Sequence, residues 1–143
     1  MADILPNSFF KHIMNGGIDL DTDTIKVMLL TNSHSNNIDT QEYIDDVSAN
    51  EVSGTGYSAG GQALANKAVT QDNTDDEGVF DADDLTWSSS SITARYAVVY
   101  KDTGTPSTSP IVCIIDFGAD KTSDNGDFTI QWNAEGILNA NQP

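Results

Sequence analysis

The placement of aspartate constrains this chain more than any other feature. Of its 22 acidic residues 18 are Asp and 4 are Glu. The aspartates gather in short groups: Asp19, Asp21 and Asp23; Asp72, Asp75 and Asp76; Asp81, Asp83 and Asp84; Asp124 and Asp127. Asp is unfavourable inside helices and strands, whereas in turns its carboxylate accepts hydrogen bonds from nearby backbone amides. Each group therefore marks a turn, and the β-branched and aromatic runs between the groups have the length of strands. The pattern predicts a mainly β fold, an antiparallel β-sandwich or open barrel, with one or two short helices near the N-terminus.

Element by element, Asn7 or Ser8 can cap a short helix over residues 8–15, and Gly16 can end it in the left-handed conformation. Residues 24–31 (TIKVMLLT) read as the first core strand. Asp39 and Glu42 have capping-box spacing, with Tyr43, Ile44 and Val47 as an apolar stripe behind them, which predicts a second short helix. Five strands are expected after a glycine-rich turn, over residues 62–70, 78–87, 92–101, 111–117 and 128–132. Within residues 92–101, strict alternation places Ala94, Tyr96, Val98 and Tyr100 on one face and Arg95, Ala97, Val99 and Lys101 on the other. A chain of 143 residues fits one domain, residues 1–143, able to bury about two-thirds of the surface it exposes when unfolded. With 38% hydrophobic residues it reads as folded despite its charge.

The net charge of −16 excludes function classes. Lys11, Lys26, Lys67, Arg95, Lys101 and Lys121 are scattered and form no basic patch, so neither nucleic acid nor an anionic membrane is an expected partner. The longest apolar runs, residues 27–30 and 111–115, fall far short of the ~20 residues that span a bilayer. The first residues lack the basic and apolar regions of a secretory signal. Cys113 is the single cysteine and has no internal disulfide partner, which suits a reducing cytoplasm.

Motifs that could carry chemistry fail on spacing. Asp19, Asp21 and Asp23 open like a calcium loop, but Thr24 stands where that loop needs glycine and Leu30 where it needs glutamate, so an acidic turn is expected. The Asp72 to Glu77 group reads as a hairpin turn. Residues 54–61 lack the third glycine and the strand–turn–helix context of a dinucleotide site. His12 and His34 have no nucleophile elbow to serve. Cys113 lies in an apolar run and reads as a small buried hydrophobe. Trp87 and Trp132 read as core, with a carbohydrate groove as the alternative. No catalytic residue, cofactor or metal ligand is expected.

Several motifs taken together carry a resemblance. These are Gly54-Thr55-Gly56-Tyr57 with Ala59-Gly60-Gly61 and Leu64-Ala65-Asn66-Lys67; residues 80–87 (FDADDLTW); Ile92-Thr93-Ala94-Arg95; Tyr100-Lys101-Asp102-Thr103-Gly104; Ile115-Asp116-Phe117-Gly118; and residues 131–138 (QWNAEGIL). With the N-terminal phenylalanine helix and the strand at residues 25–30, they cover most of the chain. Together they resemble a family of small virion structural proteins of tailed bacteriophages. The resemblance implies a non-enzymatic role as a capsid decoration or cement protein, with the major capsid protein as partner. It also implies a homo-oligomer, with a trimer expected at three-fold positions of the shell, assembled in the host cytoplasm. Net negative charge is repelled by packed DNA, which favours the outer capsid surface. A tail, baseplate or fibre component is the alternative, and a carbohydrate-binding module or enzyme a third. The expected capsid-docking element is the helix face of Phe9, Phe10, Ile13 and Met14, or an open edge strand. Packing of that helix over the end of the sandwich is the competing reading.

Overall fold

A strand needs no polar alternation when both of its faces are covered, and the runs at residues 27–30 and 111–115 have none. The computed structural model describes residues 1–142. Its elements in chain order are α1 (Asn7–Met14), β1 (Ile25–Leu30), two 3-10 turns (Ile44–Asp46 and Ser48–Asn50), β2 (Gln62–Ala63), β3 (Ala68–Asp72), β4 (Glu77–Asp81), β5 (Leu85–Ser90) and β6 (Thr93–Lys101). A third 3-10 turn (Pro106–Thr108), β7 (Ile111–Thr122), β8 (Gly126–Ile130) and β9 (Leu138–Asn141) complete the chain. Three antiparallel sheets form, ordered β2-β1-β6-β7, β3-β4-β9 and β5-β8. The mainly β fold with a short N-terminal helix is therefore as the sequence predicts.

The four-stranded sheet is the centre. One face presents Ile25, Val27, Leu29, Ala97, Val99, Cys113 and Ile115 to a large core shared with Phe80, Trp87, Phe128, Trp132 and Ile137 from the other two sheets and their loops. The opposite face presents Met28, Leu30, Val98, Tyr100, Ile111 and Ile114 to Ile44 and Val47 of the 3-10 turns. Both runs are thus buried on both sides. Two bulges adjust the side-chain alternation. At Val99/Tyr100 the register slips, so Val112 joins Cys113 on the larger core. At Ala94/Tyr96 a longer slip moves Ala94 into the core that holds Ala97 and Val99, which corrects the expected grouping of Ala94 with Tyr96, Val98 and Tyr100.

Backbone hydrogen-bond demand explains the other departures. The expected second helix is replaced by the two 3-10 turns, because its backbone is claimed by the sheet: Ile44 N donates to Ser109 O, and Thr31 N to Asn50 O. The Asp46 carboxylate accepts the amides of Glu42 and Tyr43, closing the turn later than the Asp39–Glu42 spacing implies. The expected strand at residues 62–70 splits into β2 and β3 around Asn66, which is left-handed at φ +51°. Residues 78–87 split into β4 and β5 at Asp83 and Asp84, whose carbonyl and carboxylate hold Trp132 through its indole Nε1 (2.8 Å) and its backbone N (3.0 Å). Strand β7 runs past residue 117 to Thr122, and β9 has no strand signal strong enough to stand out in the sequence. Helix α1 starts one residue early, with Pro6 at its N-cap and no side-chain cap; Asn7 sends its backbone N to Ile38 O and its side chain to Asp39. Gly16 is left-handed at φ +75°, as expected.

The glycine-rich segment is an irregular turn pinned against β1. Tyr57 receives Leu29 N and donates to Glu51, whose Oε1 also accepts Gly60 N, while Tyr100 donates to Gly60 O. Gly61 has φ +73°, and a Cβ there would lie 1.7 Å from the Val27 carbonyl oxygen. Gly104 has φ +85° with open space around it. Gly61→Ala is therefore expected to lose roughly 2–4 kcal/mol and Gly104→Ala about 1 kcal/mol, the backbone term alone. Denaturant unfolding of both variants checks this, and equal losses would mean that the turn relaxes away from Val27.

Candidate interaction surface

Helix α1 has an inner and an outer side. Phe9 enters the large core at 5% exposure, whereas Phe10, Ile13 and Met14 are exposed at 51%, 40% and 81%. Of the four residues expected to dock, three therefore face outward and Phe9 does not; the helix both packs on the sandwich and presents an apolar face. Its orientation is held by Glu42, whose Oε1 lies 2.5 Å from Lys11 Nζ and 2.9 Å from His12 Nε2. The main chain of Glu42 is itself fixed, since its carbonyl accepts Ile111 N at the start of β7.

The sequence did not flag what lies beside α1. Ile13, Ile18, Leu20 and Val69 line a groove of about 340 Å³ between the helix and β3, with Asp19 and Asp21 on its rim. Val69 is 53% exposed. Nothing in residue order links residue 69 to residue 13; the chain enters β3 after Asn66, at φ +51°, and the ladder to β4 sets Val69 beside the helix.

The acidic loop supplies the rim but adopts no calcium-loop geometry. Asp19 Oδ1 accepts the amides of Asp21 and Thr22, and Asp23 Oδ2 accepts Asp19 N and pairs with Lys101. The hydrogen bond from Thr22, with further backbone amides, holds the Asp19 carboxyl below its ordinary range, so it is ionised at neutral pH. Asp72 turns in the same way onto Thr74 N and Asp75 N, and these amides lower its pKa. Asp75, Glu77 and Glu135 approach one another closely enough to hold a cation, but Glu77 already accepts Asn139 Nδ2 at 2.6 Å.

The remaining sequence candidates are occupied in packing. Cys113 is fully buried, and desolvation pushes its thiol up to about 12. His34 is buried at 5%, bonded to Asn36 Oδ1 at 2.8 Å and edge-on to Tyr96. Trp87 and Trp132 are core at 1% and 7%, so neither presents a ring face to a carbohydrate. Among cations, Lys11, Lys26, Arg95 and Lys101 are each paired with a carboxylate. Arg95 grips Asp116 through two nitrogens at 2.6 and 3.2 Å. The surface left over is anionic.

Compared with protein-family models, curated proteins and solved structures, the chain matches none.

Two outcomes are expected from this geometry. Lys11, by hydrogen bond and charge, holds the Glu42 carboxyl below the usual glutamate value. Its stabilising effect is thus complete above the unfolded-state pKa of about 4.3 and is lost as pH falls through the lower folded value. Glu42→Gln should lower the melting temperature by a few degrees at neutral pH, a modest effect because the pair is partly exposed, and the gap to wild type should close in acid. A gap independent of pH would mean that packing alone seats α1. The Cys113 thiol should resist alkylation at mildly alkaline pH until the protein unfolds, and rapid labelling of the native state would contradict its burial.

Proposed function

We propose that the protein is a non-enzymatic structural component of a tailed-bacteriophage particle, lying on the outer surface of the head, where it binds the major capsid protein and stabilises the shell. The observation that carries this reading is the resemblance of motifs spread over most of the chain to small virion structural proteins. Two physical features support it. The anionic surface left after four of the six cations pair is incompatible with close contact to packed DNA and suits the outside of a shell. The exposed apolar side of α1 offers a contact that, repeated over a lattice, reinforces a shell through many weak interactions. In such a coat the copies associate into a homo-oligomer, a trimer where the attachment points are three-fold.

Point substitution tests the contact better than truncation. Residues 2–4 hydrogen-bond to Ile114 and Ile137, so removing residues 1–17 would open the edge of β7 as well as delete α1. Quantitative mass spectrometry of purified virions from a phage that encodes the protein decides the assignment. Hundreds of copies per particle are expected for a head coat, and Met14→Asp should reduce that number. A few to tens of copies would move the protein to the tail, baseplate or fibre, and its absence from virions would end the particle reading.

A further inference from the structure

The strand beside the groove is unprotected. The four-stranded sheet is covered along part of its edges: residues 2–4 and 42–44 pair at the first half of β7, and residues 50–52 continue the pairing of β2 along the C-terminal end of β1. Strand β3 is the outer strand of its sheet and bonds only β4. Among the described residues no other backbone group pairs with it. Ala68, Val69, Thr70 and Gln71 are all exposed. These four residues contain neither a charge nor a proline, the charges of Lys67 and Asp72 standing only at the two ends, and the ladder to β4 runs in unbroken register. Alongside lies the groove of Ile13, Ile18, Leu20 and Val69. An unpaired backbone edge next to an apolar slot is the arrangement that binds extended segments: main-chain bonds give affinity and the slot reads alternate side chains.

Charge selects among occupants. Asp19 and Asp21 stand on the rim, and Asp72 closes the far end of β3. A second copy of this chain would bring the same acids and another net charge of −16 to the contact, so it fits poorly. We propose that the groove and edge take an extended segment of a partner protein that adds to β3 as a further strand, seats an apolar side chain against Ile13 and Val69, and carries Lys or Arg on either side of it. This deepens the coat reading, on which it rests for the role of α1 as a docking element. It stands apart from where in a particle the partner lies.

The probe is a capped synthetic peptide, Lys-Thr-Val-Thr-Val-Thr-Lys, followed by calorimetry, by methyl chemical shifts of Ile13 and Val69, and by amide exchange of β3. Binding is expected to slow exchange in β3 and shift both methyl groups. Affinity should fall at least tenfold when Glu replaces both lysines, when alternate peptide nitrogens are methylated, and in Ile13→Asp or Val69→Asp. Ser33→Asp, exposed beyond the other end of β1, should leave it unchanged. Affinity should also fall steeply as salt rises. Any of three results overturns the proposal: equal binding by the methylated peptide, equal binding by the Glu peptide, or no change in β3 at millimolar peptide. Self-association of the wild type that Ile13→Asp abolishes would overturn it too, in favour of a second copy. Virions lacking the protein, with peptide binding intact, would defeat the particle reading and leave this one standing; peptide failure with full virion occupancy would do the reverse.

Discussion

Desolvating both faces of one four-stranded sheet is the constraint on which the rest of the structure depends. Where β1, β6 and β7 are covered above and below, the N–H and C=O groups at their edges must also find partners, because water no longer reaches them. The chain meets this with short pieces: residues 2–4 and 42–44 along β7, and residues 50–52 along β1. Those pieces cannot also make helices, which is why the cover of the smaller core is two 3-10 turns. Their irregularity follows from having to pair outward with a sheet while sending Ile44 and Val47 inward.

The acid follows from the same constraint. With the faces of the central sheet largely apolar, most of the acid lies in turns and at strand ends, and there the carboxylates perform local structural work before they meet solvent. Asp19, Asp46, Asp72 and Asp102 each accept a backbone amide from their own turn, and Asp116 accepts Gly118 N within β7. Most cations are drawn into ion pairs that join segments far apart in sequence, such as Lys11 to Glu42 and Arg95 to Asp116. What remains outside is a negative surface interrupted by an apolar strip on α1 and β3. That contrast is the feature that points to binding.

Much of this was legible in residue order. The turn-forming aspartates, the two uninterrupted apolar runs, the left-handed Gly16 and the buried Cys113 each follow from local chemistry, and local chemistry is what a sequence displays. The losses are non-local. Ala94 changes face because β7 bulges opposite Arg95, and no alternation within residues 92–101 can report a bulge in a different strand. Phe9 and Phe10 are adjacent and alike, yet one is core and one is exposed, a choice made by how Glu42 orients the helix. The groove beside α1 joins residues 13–21 to Val69, which the ladder of β3 to β4 places there and which no local pattern reports. Strand β9 is short and weakly apolar, and it exists because β4 needs a second partner.

The pairing of Ala2 N with Ile137 O, and of Ile4 with Ile114, joins the first residues to parts of the chain made more than a hundred residues later. Closure of so long a loop carries an entropic cost before any contact offsets it, and folds dominated by such pairings form on the slower millisecond-to-second scale. During synthesis the edge of β1 and the Phe9 side of α1 therefore wait, uncovered, for β6 and β7 to emerge. A chain with so many like charges repels its neighbours over that interval, so the same aspartates that shape the finished turns also protect the unfinished molecule from its copies.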